Sequence, residues 1–295
     1  MTKQPTTQPH GSGSVAPPIG DQPIPATAQD TRFFLIERSG RSFVPIAKVF
    51  VQNPNRRLKR RHGPLAEFVN NGDKRGLLAF LFVNTIISSG AREDGWTTSL
   101  DIKLWARALG TVETAGEASA SNAATKILSR LVKRDLIERT RRGRERLVAV
   151  TLLRPDGSGA PYTRPTGRDD SERFLRLSHR FWLDEWDKKL SLPAIAMLLV
   201  ALCEPPHFKL ATEHVPDWYG WSADTAERGL KELADKKVLQ VDPETYTNPL
   251  APTGLSTRNR YTLLEPFDPD SIEASRPAPR RPRRRVTARR KKRPR

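Results

Sequence analysis

The chain has 295 residues, of which 51 are Lys or Arg and 33 are Asp or Glu, so its formal charge at pH 7 is +18. A single cysteine, Cys203, excludes an internal disulfide framework and a four-ligand Cys/His zinc site. The aliphatic runs 77–83 and 194–203 are shorter than the ~20 residues of a membrane span, and no secretory signal follows Met1. We therefore expect a cytoplasmic, nucleoid-associated protein that has a polyanionic partner and no membrane contact.

The positive charge is concentrated at the C-terminus. Residues 276–295 hold twelve Lys or Arg and no acid, so the rest of the chain carries +6 of the +18. Residues 1–31 are rich in Pro, Thr, Gln and Gly instead. Neither end can bury enough apolar surface to offset its ordering entropy. We predict a disordered N-terminal tail over 1–31 and a disordered basic tail over 267–295.

The segment 32–72 is predicted to contain a hairpin and a basic connector. Apolar residues at 33–36 and 42–44 flank Arg38-Ser39-Gly40, a pattern typical of two strands and a turn. The run Arg56-Arg57-Leu58-Lys59-Arg60-Arg61 follows. Such a block is typical of a solvated linker, and the alternative is a segment that becomes ordered only on DNA.

Two later stretches show one order of predicted elements, namely helix, short strand, two helices and a two-stranded hairpin. The first has Asp73 as a helix N-cap, and the second begins at Ser191 with Pro193 early in its helix. The second hairpin has a long Pro-rich connection, 243–259. We predict two domains, 73–154 and 174–266, joined by the Gly/Pro/Asp-rich linker 155–173.

The two stretches also align without a gap at an offset of 102 residues. The matching pairs are Ala124 and Ala226, Leu128 and Leu230, Leu131 and Leu233, Leu136 and Val238, and Ile137 and Leu239. A repeat of this length indicates two copies of one domain rather than a solenoid, whose units run ~20–50 residues.

The second copy contains the motif that is most informative about the fold. It reads Gly220-Trp221-Ser222-Ala223-Asp224-Thr225-Ala226-Glu227-Arg228-Gly229-Leu230-Lys231-Glu232-Leu233, followed by Val238-Leu239. This stretch resembles the winged helix-turn-helix superfamily in its glycine turn, its Ser-x-x-Thr helix start and the apolar pair that begins the wing. The first copy departs from the pattern, since Ala120 and Ala123 replace the Ser and Thr. The resemblance implies a mainly α fold with small β-hairpins (α+β), built from two winged helix-turn-helix domains in tandem.

In such a domain the third helix enters the major groove of DNA, and cations of the wing contact the backbone. The resemblance implies these DNA-binding residues in the first copy: Ser121, Asn122, Thr125, Lys126, Ser129, Arg130, Lys133, Arg139, Arg141, Arg142, Arg144 and Arg146. In the second copy it implies Ser222, Thr225, Arg228 and Lys231. Residues 120–135 contain four bases and one acid, whereas residues 222–237 contain four of each. We expect the first copy to read DNA, and for the second both DNA contact and a homodimer interface remain open.

The sequence contains no pattern that is typical of a catalytic or metal site. The five histidines are scattered, and the acids that follow His179 are explained by the start of a helix. We therefore expect no enzymatic activity, no cofactor and no metal. The expected function is sequence-specific binding of double-stranded DNA in transcription regulation. The alternative is a plasmid or phage replication initiator that binds origin repeats.

Overall fold

A computed structural model of the chain describes residues 25–90, 95–113, 116–142 and 147–275. In these ranges the protein is an α+β fold with short antiparallel sheets. The helices are α1 (Ala28–Glu37), α2 (Leu65–Asn70), α3 (Lys74–Ile86), α4 (Ile102–Ala108), α5 (Glu117–Lys133), α6 (Arg180–Leu183), α7 (Trp186–Lys189), α8 (Leu192–Ala201), α9 (Val215–Tyr219), α10 (Ala223–Asp235) and α11 (Pro269–Ala274). The strands are β1 (Phe43–Ala47), β2 (Thr97–Asp101), β3 (Ile137–Arg142), β4 (Leu147–Leu152), β5 (Phe174–Ser178), β6 (Phe208–Lys209), β7 (Leu239–Thr247) and β8 (Leu255–Leu263). None of these helices combines the length and the apolar character that crossing a bilayer requires.

Two stretches of the chain share one topology. The first unit is α3-β2-α4-α5-β3-β4, and the second unit is α8-β6-α9-α10-β7-β8. Each unit has a three-stranded antiparallel sheet with its last strand in the middle, in the orders β2-β4-β3 and β6-β8-β7. The order of elements predicted from the sequence is therefore present in both stretches.

The offset of 102 residues extends to the backbone conformation. Asp135 and Lys237, which follow the third helix of each unit, both adopt a left-handed conformation with φ of 54° and 58°. The next amides repeat one hydrogen bond: Leu136 donates to the Leu131 carbonyl at 3.2 Å, and Val238 to the Leu233 carbonyl at 3.0 Å. All ten apolar residues of the sequence alignment are buried. The repeat thus fixes both the turn and the core positions.

One hydrophobic cluster contains most core residues of both units, and Ala106, Ala120 and Ala124 form a small second cluster in the first unit. Strand β1, which precedes the first unit, pairs antiparallel with β5, which precedes the second. Phe82 of α3 meets Trp182 of α6 edge-on, with 5.2 Å between the ring centroids, and the Trp182 indole donates to the Thr85 hydroxyl at 3.1 Å. Because these contacts are buried, they hold the two units in one relative position.

The side chain of Arg32 joins helix α1 to α4 of the first unit and to α7, which precedes the second unit. Arg32 donates to the carbonyl of Ala108 at the end of α4 at 2.8 Å, and to the carboxylate of Asp187 in α7 at 2.8 Å. The two charged side chains are only 7% and 2% exposed. A buried pair of this kind is costly to break, because the remaining partner is left as an uncompensated charge.

The hairpin predicted within 32–50 is wrong. Its first half belongs to α1, where Thr27 and Asp30 form a capping box, and its second half, β1, pairs with β5. The apolar run 33–36 has strand propensity, but the cap starts a helix, and Leu35 and Ile36 are buried in the core. The start of α1 also lies within the predicted N-terminal tail, and residues 1–24 lie outside the described residues.

Three further segments are more ordered than predicted. Phe267, in the predicted C-terminal tail, is fully buried, and α11 follows it, whereas residues 276–295 lie outside the described residues. Tyr162, in the predicted linker, is buried edge-on to Trp96, with 5.1 Å between the ring centroids. The connection 243–259 consists mostly of β7 and β8. Pro243 fits there because β7 is an edge strand, where an absent amide donor is tolerated.

Candidate nucleic-acid interface

Helix α5 presents most of the residues predicted for the first unit. Its buried side packs against α3 and α4, which leaves Asn122, Lys126 and Lys133 exposed. Ser121, Thr125 and Ser129 are half-buried beside them, and the Ser129 hydroxyl donates to the Thr125 carbonyl at 2.8 Å. Neither Lys126 nor Lys133 has an acidic partner among the described residues. This side of α5 therefore carries uncompensated positive charge together with amide and hydroxyl groups.

Arg130 differs from its neighbours because the fold uses its side chain. Its Nε and terminal nitrogens donate to both carboxylate oxygens of Asp73, the N-cap of α3, at 2.9 and 2.8 Å. Arg134 binds Asp73 at 3.1 Å and Glu67 at 3.0 Å, and its guanidinium lies 4.5 Å from the centre of the Phe68 ring. Burial raises the pKa of Asp73, but the hydrogen bonds from Arg130 and Gly76 outweigh it and leave the pKa below its ordinary value. Arg130 is therefore half-buried, and its side chain fastens α5 to α3.

The equivalent position in the second unit, 102 residues later, is Glu232. Its carboxylate accepts hydrogen bonds from the amide and the hydroxyl of Ser191, the N-cap of α8, the former at 2.9 Å. In both units this position of the third helix thus binds the cap of the first helix. The sign of the charge at this position is reversed, because an arginine binds an aspartate in the first unit and a glutamate binds a serine in the second. Sequence reasoning missed this role, although the offset of 102 residues pairs the two positions.

The hairpin β3–β4 of the first unit is partly described. The Arg139 guanidinium donates to the Thr125 carbonyl at 3.0 Å and so ties β3 to α5. Arg141 is exposed and has no acidic partner within 25–90, 95–113, 116–142 and 147–275. The backbone of Arg142 ends β3, and the predicted residues Arg144 and Arg146 lie outside the described residues.

In the second unit, α10 pairs its cations with its own acids. Arg228 binds Asp224 at 3.0 Å and Lys231 binds Asp235 at 2.7 Å, each with a spacing of four residues. All four side chains are exposed, and such pairs contribute only ~0–1 kcal/mol. The predicted residues Ser222 and Thr225 cap the same helix, and their hydroxyls lie 2.8 Å apart. Both cations of α10 are thus paired, and the helix Ala223–Asp235 has four acids against two bases.

The hairpin β7–β8 extends from the second unit, and several cations of this sheet bind one acid, Glu244. Glu244 binds Arg258 at 2.8 Å, Lys209 at 3.3 Å and also Arg260. Hydrogen bonds from Arg260 and Arg258 hold the pKa of Glu244 far below its usual range. At the tip of the hairpin, Leu250 is 95% exposed. This hairpin is thus a long projection with partly neutralised cations and an apolar end.

Comparison of the chain with protein-family models, with curated proteins and with solved structures finds no match. The interpretation of the interface therefore depends on the geometry and the charges of this chain alone.

Proposed function

We propose that this protein binds double-stranded DNA sequence-specifically through two winged helix-turn-helix units in tandem, and that it regulates transcription. The observation that carries the proposal is the exposed side of α5, where Asn122, Lys126 and Lys133 have no acidic partner among the described residues, as is also true of Arg141 in the hairpin. An α-helix fits the major groove, and Asn and Lys side chains are donors suited to base edges and phosphates. The shared topology of the two units supports the same proposal.

The alternative role is initiation of plasmid or phage replication at origin repeats. It is favoured by the common core of the two units, since one chain then presents two third helices in a fixed arrangement. Under either role, α10 has little net charge to contact phosphates, which leaves the second unit suited to a homodimer contact as well. The exposed Leu250 at the tip of its hairpin is an apolar group that such a contact would cover.

Selection of bound sequences from a random duplex pool tests the proposed function. We expect enrichment of a defined motif, with an affinity at least a hundredfold above that for random duplex. Single motifs beside promoters would support regulation, and arrays of repeats would support initiation. Equal affinity for all sequences, or no binding to duplex, would contradict the proposal.

Deletion of residues 276–295 is expected to weaken binding to the selected duplex and to random duplex by similar factors. Twelve cations add phosphate contacts that do not depend on sequence. The deletion should also reduce the slope of log affinity against log salt concentration, measured by fluorescence anisotropy. An unchanged slope together with unchanged affinity for random duplex would show that the tail does not contact DNA.

A further inference from the structure

The segment 53–62, named here the basic loop, is closed at its base and has hydrogen bonds of its own. A β-bridge between Gln52 and His62 closes it, and the Asn53 amide donates to the Arg61 carbonyl. Within it, the Asn53 side chain accepts from the Asn55 amide at 2.9 Å, and the Asn55 side chain accepts from the Arg57 amide at 3.1 Å. The predicted connector is thus a closed loop whose own side chains and backbone groups bond to one another.

The base of the basic loop is attached to α9 of the second unit. The Arg61 amide donates to the Asp217 carbonyl at 2.9 Å, and the Arg61 guanidinium lies 5.3 Å from the centre of the Trp218 ring. The ring of His214 lies 4.9 Å from the same indole ring. The Gln52 side chain donates to the Trp218 carbonyl at 3.4 Å. The loop is therefore held beside the second helix of this unit.

The turn that leads from α9 to α10 lies close to His62, at the end of the basic loop, and to α2. A Cβ at Gly220 would lie 2.8 Å from the Ala66 Cβ and 3.0 Å from the His62 side chain, and the φ of 87° also favours glycine. The Asn70 side chain donates to the Gly220 carbonyl at 3.0 Å. Only Trp221 separates Gly220 from Ser222, the N-cap of α10. The base of the basic loop therefore lies next to the start of the third helix of the second unit.

The charges of the loop are free, whereas those of α10 are paired. Arg56, Arg57, Lys59 and Arg60 are exposed and have no acidic partner in the part of the chain that the structure describes. The cations of α10, by contrast, bind acids one turn away. The uncompensated positive charge beside this helix-turn-helix thus comes from a segment that precedes both units in the sequence.

We propose that the basic loop is the phosphate-binding element of the second unit, which contacts the backbone of duplex DNA beside the groove segment that faces α10. This inference rests on the proposed function. Each phosphate that the four cations neutralise adds ~0.9 to the slope of log affinity against log salt concentration, because bound counterions are released. The second unit then contacts DNA although both cations of its own third helix are paired with acids.

The test uses the full chain with the four substitutions Arg56→Gln, Arg57→Gln, Lys59→Gln and Arg60→Gln. The control removes the same number of charges by the same kind of substitution at the exposed residues Arg168, Arg173, Lys188 and Lys189, of which Arg173 and Lys188 form surface ion pairs with Asp170 and Glu185. We expect the loop variant to lose at least tenfold in affinity for the selected duplex, with the salt slope reduced by about 2–4. The control is expected to lose less than threefold. Equal losses in the two variants, or none in the loop variant, would overturn the inference.

A tethered cleavage reagent locates the loop on the DNA. Lys59→Cys and Ser121→Cys each carry an iron chelate, while burial raises the pKa of the Cys203 thiol to about 12, so that little thiolate forms there at neutral pH. We expect the two reagents to cut at opposite halves of the protected region. Absence of cutting from position 59 would overturn the inference.

The two proposals fail in different ways. If the unmodified chain binds no duplex, the proposed function itself is wrong. If it binds and Lys126→Glu weakens binding while the loop variant does not, only the inference about the loop is wrong. The inference about the loop is also wrong if the loop variant binds DNA normally but no longer binds an acidic protein partner.

Discussion

Lys126→Glu is expected to weaken binding to the selected duplex at least tenfold and to leave thermal unfolding unchanged. Lys126 is exposed on α5 and has no acidic partner among the described residues, so its substitution breaks no internal contact. Loss of one groove or phosphate contact costs ~1–3 kcal/mol of binding free energy, and a new carboxylate adds repulsion from the DNA. Fluorescence anisotropy and differential scanning calorimetry on the same samples separate the two quantities.

Arg130→Glu, only four residues away, is expected to act mainly on stability. It replaces both hydrogen bonds to Asp73 with a second carboxylate beside a side chain that is 9% exposed. We expect a loss of about 1–3 kcal/mol in the free energy of unfolding, less than for a fully buried pair because Arg130 is 39% exposed. A simultaneous reversal of both charges would mix a binding defect with a folding defect.

The exposed cations of α10 are the matched control. Arg228→Glu and Lys231→Glu break only surface pairs and are expected to change the free energy of unfolding by less than ~1 kcal/mol. Their effect on DNA affinity should be smaller than that of Lys126→Glu, and any larger effect should appear in self-association, measured by sedimentation. If they reduce DNA affinity as much as Lys126→Glu while the oligomeric state is unchanged, the two third helices contribute equally to DNA binding. The expected difference between the two units is then wrong.

The second large effect is a loss of folding stability at low pH. His179 is buried directly after β5, where its amide donates to the Ser42 carbonyl at 2.8 Å. Burial lowers the pKa of His179 from 6.5 to about 4; a hydrogen bond with the Arg41 backbone opposes this shift, and the positive charge of Arg41 adds to it. Below pH 6.5 the unfolded chain binds a proton that the folded chain does not bind. The stability contributed by the neutral ring is therefore present above pH 6.5 and is lost as the pH falls through 4.

The loss is expected to reach about 3 kcal/mol at pH 4, at 1.36 kcal/mol for each unit of pKa difference. Chemical denaturation at pH 7, 5.5 and 4 measures the free energy of unfolding. Between pH 7 and pH 4 this free energy should fall by about 3 kcal/mol less in His179→Leu than in the unmodified chain. His62→Gln, which changes an exposed imidazole, is the control and should follow the unmodified chain. Parallel curves for all three proteins would show that His179 is not the acid-sensitive group.

The repeated order of elements and the repeated core were predictable from the sequence, because apolar spacing reports which side of a helix is buried. The turn at Asp135 and Lys237 was not, because two different side chains adopt one backbone conformation there. Nor was α1, because its capping box lies in a stretch whose composition resembles a tail. The pairing of β1 with β5 joins segments more than a hundred residues apart, and no local pattern indicates it.

The interface shows the same limit. Periodicity placed Lys126 and Arg130 on the polar side of α5, but only the position of α3 decides that Asp73 binds one of them. The charge of the run 56–61 is plain in the sequence, whereas its attachment to α9 depends on tertiary contacts such as the Arg61 amide with the Asp217 carbonyl. Sequence reasoning thus found the charges and did not find which of them the fold already uses.

The common core of the two units has a consequence for the DNA that such a chain would select. The grooves of B-DNA return to the same side of the duplex every ~10.5 base pairs, and a reader with two fixed helices must match that period. Five base pairs inserted between the two contacted segments would turn one segment to the far side of the duplex, out of reach of its helix. A pair of domains on a flexible linker would tolerate such an insertion. Because β1 and β5 pair and one cluster spans both units, this chain would bind tightly only where the two contacted segments lie on the same side of the duplex.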